Sequence, residues 1–150
     1  MPDLTDNAAE AAKAAVRRLY EAMNTGDEKI VNDVVANVLA PGWRTTPLPP
    51  FGAPGTEAFR ATVAFLRGVF PDFTITHEDV VATGDKVAVR SVSRGTHSGE
   101  LLGIPATGRA VEYRAFDFHR IEDGRITESW HLEDNLALLG QLGASFTAGS

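Results

Sequence analysis

The stretch 116–135, FDFHRIEDGRITESWHLEDN, leaves this chain little freedom in how it folds. Asp123-Gly124 sits between two runs of alternating residues, and glycine accepts the positive φ that a two-residue turn needs. The spacing predicts a β-hairpin turning over Glu122-Asp123-Gly124-Arg125. Strand alternation then sorts its side chains onto two faces. Tyr113, Ala115, Asp117 and His119 share one face of the first strand, and Ser129, His131 and Glu133 share one face of the second. Two imidazoles and two carboxylates are thus expected on neighbouring strands. Such a group either stands in water or lines a polar pocket, and in the second case it forms a site.

Upstream the pattern is helical. Thr5-Asp6-Asn7 supplies N-cap candidates for a helix to about residue 24, with Ala8, Ala12, Ala15, Val16, Leu19, Tyr20 and Met23 at helical spacing. Thr25-Gly26 breaks it, and Asp27 caps a second helix bearing Ile30, Val31, Val34, Val35 and Val38. Pro41-Gly42 is expected to stop that one. Five prolines in 41–55 predict a strand followed by a loop, and the segment 47–54 reads as a pocket rim or lid, or as a simple rigid connection. Thr56 is expected to cap a third helix over about 57–69, which Pro71 ends. Strands are expected over 73–82, 86–97, 109–121 and 125–133, and a last short helix over 135–142. Helices first and strands second predict an α+β fold: a curved antiparallel sheet with three helices from the N-terminal half enclosing a cavity, a cone. One domain over 1–150, with a core of about 8–143, is expected from length and pattern.

Composition narrows the partners. There is no cysteine, so thiolate chemistry and cysteine metal sites are unavailable. A net charge of -6 argues against nucleic acid, which needs a basic face. No apolar run reaches the ~20 residues that span a membrane. The first residues, MPDLTDNAAEAAK, do not read as a signal peptide, so a cytoplasmic protein is expected.

The element order is similar to that of the nuclear transport factor 2-like superfamily. Asn24-Thr25-Gly26-Asp27 resembles its N-x-G-D joint, and Leu39-Ala40-Pro41 its L-A-P entry to the first strand. Phe70-Pro71-Asp72-Phe73, the run GDKVAVR from Gly84, the run GTHSGELLGIPATGR from Gly95 and DGRITESW from Asp123 resemble SnoaL-like polyketide cyclases. The resemblance covers about 10–143. It implies intramolecular aldol ring closure of anthraquinone-type polyketide methyl esters, an apolar small-molecule partner, no metal or other cofactor, and a homodimer through the outer sheet face, with Phe116, Phe118 and Val92 as candidate contacts. The family's acid/base is an Asp directly after the Trp of E-x-W, and here that position is His131. Imidazole titrates near pH ~6.5 and does the same proton transfers near neutrality.

Two other resemblances bear on the same residues. Asp117-Phe118-His119-Arg120 is similar to the D-x-x-R stretch of ketosteroid isomerases, which implies that Asp117 and His131 face the cavity. That enzyme's helix-one tyrosine then falls on Leu19, and its general base near Thr46-Pro47, so ketosteroid isomerisation is rejected. Limonene-epoxide-hydrolase-like enzymes use an Asp-Arg-Asp trio, for which Asp117 with Arg90 or Arg114 is a partial match.

The expected catalytic pair is His131 and Asp117, with His119, Tyr113, Trp43, Ser129 and Glu133 shaping the substrate pocket. For Asp117 the alternative is a solvated sheet edge, since Phe116 and Phe118 take the other face. A bulge near the turn would rotate His119 out. His97 is expected to bond its own loop, His77 to sit on a solvated face, and Trp43 and Trp130 to pack. Three functions remain open: the cyclase, a non-catalytic small-molecule-binding module, and an epoxide or ester hydrolase.

Overall fold

The computed structural model describes residues 4–49 and 55–149. The elements run α1 (Leu4–Thr25), α2 (Glu28–Asp33), a π-helical turn (Val34–Val38), β1 (Leu39–Thr46), α3 (Thr56–Val69), β2 (Thr74–Thr83), β3 (Lys86–Thr96), β4 (Ala110–Glu122), β5 (Arg125–Glu133) and α4 (Asn135–Gln141). The five strands form one sheet in the order β1-β5-β4-β3-β2. It is antiparallel except at one edge, where β1 runs parallel to β5.

The hairpin turns where expected, with Asp123 at φ 50 and Gly124 at φ 75, the two positive values of a type I′ turn. Helix boundaries differ in three places. Thr5, Asp6 and Asn7 lie inside the first turn of α1 rather than before it. Gly55, not Thr56, precedes α3 at the cap position. The second helix ends at Val38, and Pro41-Gly42 lies within β1, at the irregularity in the β1/β5 register between Leu39 and Arg44. An edge strand tolerates proline there because the missing N–H faces no ladder partner.

The core lies between the sheet's inner face and the helices, and includes Val16, Leu19, Phe59, Val63, Phe70 and Phe73. The family-like motifs turn out to be its joints. Asn24 pairs with the backbone of Ile75 like a strand residue, accepting Ile75 N–H at Oδ1 (2.6 Å) and donating from Nδ2 to its carbonyl (3.1 Å). Arg67 donates to the carbonyls of Met23, Asn24, Phe73 and Pro71, fastening the end of α1 to the α3–β2 joint. Asp72 accepts from Thr96 N and Oγ1, both at 2.7 Å. Gly99 packs so close to α3 that a Cβ there would stand 2.5 Å from the carbonyl oxygen of Gly68, which is why the GTHSG run needs a glycine. These contacts fasten the helices to the β2 and β3 side of the sheet.

Candidate functional site

On β4, Tyr113, Ala115, Asp117 and His119 are all buried, while Phe116 and Phe118 keep 55% and 51% of their surface on the outer face. The β4/β5 register sets Asp117 opposite His131 and His119 opposite Ser129. It breaks only between Arg120 and Ile121, one residue past His119, so the bulge leaves that ring pointing inward. All seven residues expected at the pocket line one cavity of about 360 Å³. Its remaining wall is mostly apolar, including Leu19, Phe59, Phe70, Leu101 and Leu138.

A chain of hydrogen bonds runs along the polar side of this cavity. Trp43 Nε1 donates to Ser129 Oγ (3.0 Å), and Ser129 Oγ meets His119 Nδ1 (2.7 Å). His119 Nε2 meets the Tyr20 hydroxyl (2.9 Å), which donates to Asp117 Oδ2 (2.6 Å). Asp117 Oδ1 meets His131 Nδ1 (2.5 Å), and His131 Nε2 meets Glu133 Oε2 (3.1 Å).

Donor counting gives the chain a direction. Tyrosine has one hydroxyl proton, and the Asp117 carboxylate only accepts, so that proton points at Asp117. Tyr20 oxygen must then accept from His119 Nε2–H. A neutral His119 has Nδ1 free to accept from Ser129 O–H, whose oxygen accepts from the indole, a donor only. Burial makes His119 neutral, pulling its pKa down to about 4 against the pull of the Asp117 charge. Every donor from Trp43 onward thus points toward Asp117.

His131 is the opposite case. Burial pulls it down, but hydrogen bonds to Asp117 and Glu133, and their charges, raise it to about 10. Burial pushes the Asp117 carboxyl up, yet the hydrogen bond and charge of His131, with the Tyr20 hydroxyl, hold it below its ordinary value. Near neutrality the site therefore holds an imidazolium between two carboxylates. Burial and Asp117 push the Tyr20 phenol well up, so it stays protonated.

Tyr20 belongs to the polar chain of the cavity, although sequence reading assigned it to packing. The isomerase-like alignment put the helix-one tyrosine position on Leu19, one residue short of the side chain that reaches Asp117. The signal was present, since Tyr20 is the only polar residue in the apolar stripe of α1, but helical spacing alone does not separate adjacent positions of one buried face. His77 also differs from expectation: its ring stands edge-on to Tyr20 at 4.3 Å, with Nε2 buried. It faces inward in phase with Ile75, and the irregularity between His77 and Asp79 shifts the alternation only beyond it, so that Val80 and Ala82 turn inward next. His97 bonds Thr107 of its own loop as expected. Trp130 lies under the Arg120 guanidinium at 5.3 Å, a cation–π contact.

The hydrolase-type trio is not assembled. Arg90 and Arg114 both pair with Glu78 (3.4 and 3.0 Å), and neither lines the cavity. Among the described residues no group of three His, Asp or Glu side chains is placed to hold a metal ion. No described helix is long and apolar enough to cross a membrane.

The rim carries a strained residue. Leu102 has φ 49, is 72% exposed and lines the cavity. It is held there by the tight turn in which Leu101 and Ile104 exchange backbone hydrogen bonds of 3.0 and 2.8 Å. A left-handed conformation costs a residue with a Cβ about 1–2 kcal/mol, and asparagine least. Leu102→Asn is therefore expected to raise the melting temperature by roughly 2–4 °C per kcal/mol of strain relieved at this size; a lower melting temperature would show that Leu102 contacts outweigh the strain. Pro47, Leu48 and Pro49 form another part of the rim, and 50–54 lie outside the described residues.

Residues 13–142 match the model of the SnoaL-like polyketide cyclase family. The chain is 34% identical over 130 residues to aklanonic acid methyl ester cyclase DnrD of Streptomyces peucetius, covering 85% of this chain and 88% of that one. It is 31% identical over 132 residues to aklanonic acid methyl ester cyclase AcmA of Streptomyces galilaeus, covering 87% and 89%. The solved structure of TsrD from Streptomyces laurentii superposes with a TM-score of 0.80 at 31% identity, covering 91% of this chain and 97% of that one.

Proposed function

Because this chain belongs to the SnoaL-like polyketide cyclase family, we propose that it closes a ring in an apolar, carbonyl-bearing, polyketide-like molecule by an intramolecular aldol reaction, without a cofactor. The observation that carries this reading is His131, an imidazolium facing an apolar cavity with a buried carboxylate behind it. Aldol closure needs a proton delivered to the acceptor ketone as its carbonyl becomes an alkoxide, and the donor at the cavity is His131 Nε2–H, which donates to Glu133 Oε2 in the free site and would be shared with the ketone oxygen. Asp117 holds the ring through Nδ1, and Tyr20 with His119 holds Asp117. Tyr113, Trp43 and Ser129 shape the wall. The described lining holds Asp117 and Glu133 and no Lys or Arg, which favours a neutral ester over a free acid.

The test uses aklanonic acid methyl ester as probe in chelator-treated buffer made with labelled water. Ring closure yields a product of unchanged mass that has taken no oxygen from solvent. Uptake of one solvent oxygen would mean hydrolysis. A shift in melting temperature with no product would mean a binding module.

The same reading includes a homodimer and a cytoplasmic location. Phe116 faces Leu132 across the β4/β5 ladder on the outer sheet face, and Phe116, Phe118 and Leu132 stand 55%, 51% and 75% exposed. A second copy would cover this patch. Val92, expected with them, is 3% exposed, since its cross-strand neighbours Arg114 and Thr76 share its face and a long arginine stem covers apolar surface.

A further inference from the structure

We infer that Glu133 is the base of the reaction: its carboxylate removes the carbon-bound proton while His131 supplies the one that the acceptor oxygen needs. This rests on the ring-closing reading above and names the group that reading leaves unassigned.

The assignment follows from which lining groups have a lone pair to offer. Asp117 is 4% exposed, and each of its oxygens already accepts a hydrogen bond, one from Tyr20 and one from His131. His119 is spent at both nitrogens, between Ser129 and Tyr20. Tyr20 and Tyr113 are phenols held protonated by burial. His131 carries protons on both nitrogens and cannot accept another. Glu133 differs from all of these. Its side chain is 29% exposed and lines the cavity, and in its one side-chain hydrogen bond among the described residues Oε2 accepts from His131 Nε2–H. Oε1 is therefore open to a substrate.

The placement also resets itself. The C–H bond breaks, its proton passes to Glu133, and its electron pair becomes the enolate. The enolate carbon bonds the ketone carbon, and the carbonyl pair becomes an alkoxide that takes the proton from His131 Nε2. The Glu133 carboxyl, protonated at Oε1, then turns about its Cγ–Cδ bond and returns the proton to the vacated Nε2 lone pair from the position that Oε2 holds, 3.1 Å away. Nothing is gained or lost overall, so no co-reactant is needed.

The strand pattern explains why base and acid sit together. Glu133 and His131 are two residues apart on β5 and so project from the same face. The family's single Asp, directly after Trp130, is replaced by this pair: the acid stands at that position and the base two residues on.

The experiment separates the two proton transfers. The probe is an analogue of aklanonic acid methyl ester in which the acceptor ketone is reduced to an alcohol, so that enolate forms but no ring closes. In deuterated water the wild-type protein should speed uptake of deuterium at the acidic carbon above the spontaneous rate. Glu133→Gln should lower that acceleration by about a hundredfold or more, Glu133→Asp should recover part of it, and His131→Gln should lose closure of the unmodified ester by a larger factor than it loses exchange. Exchange at the wild-type rate in a folded Glu133→Gln protein would overturn the assignment to Glu133. A wild-type protein that neither exchanges the analogue nor closes the ester would overturn the ring-closing reading itself.

Discussion

Replacing His131 by alanine is expected to lower turnover about a hundred- to ten-thousandfold, the range over which a positioned acid or base acts. On the proposed reaction the variant removes the proton donor at the acceptor oxygen, and Glu133 also loses its hydrogen-bond partner. The fold should survive, because the side chain is 39% exposed and belongs to no part of the apolar core. It should nevertheless weaken. Asp117 is 4% exposed, and without His131 its charge is left with the Tyr20 hydroxyl alone. Breaking a fully buried ion pair costs about 3–5 kcal/mol, and this half-open one should cost less. The loss should shrink in acid, where the unpaired carboxyl takes up a proton. Rates and melting temperatures measured together check both parts. Full activity in a folded variant would remove His131 from the mechanism.

Thermal stability should peak near pH 6.5 and fall on both sides, with a different histidine responsible for each limb. His131 titrates at about 10 in the folded protein against 6.5 when unfolded. The folded state therefore binds more protons between those values, and the stability His131 contributes, complete below 6.5, is lost as pH rises through about 10. His119 has the reverse sign. Its folded value is about 4 against 6.5 unfolded, so the unfolded state binds more protons in that interval and acid destabilises. His77, also lowered by burial, adds to that limb, and Asp117, held below its ordinary 3.8, adds a further loss at still lower pH. Melting curves across this range should show the alkaline limb flatten in His131→Gln and the acid limb flatten in His119→Gln. A wild-type protein whose stability keeps rising from pH 6.5 to 10 would show that His131 is not protonated between its carboxylates.

The hairpin was readable because its signals are local. Asp123-Gly124 accepts positive φ, and alternation with period two leaves only two ways to face each side chain. The element order was read from the same local patterns, and resemblance in the motifs agreed with it; the structure shows several of these motifs acting as joints: Asn24 on the edge of β2, Asp72 on Thr96, Gly99 against the backbone of Gly68. Boundaries set by the competition between neighbouring elements were less legible. Pro41 looked like a helix stop, but the chain had already left the helix at Val38, and an edge strand could take the proline.

What the sequence determined by itself was the α+β class, the hairpin and the face that Asp117, His119, Ser129, His131 and Glu133 share, because each depends on residues close along the chain. Tertiary structure alone decided which groups meet across long separations. Tyr20 reaches Asp117 across 97 positions and Trp43 reaches Ser129 across 86, and no local period encodes either contact. Protonation was decided there too, since His119 and His131 are the same side chain on adjacent strands. One is driven neutral by burial, and the other is held charged by the two carboxylates that flank it.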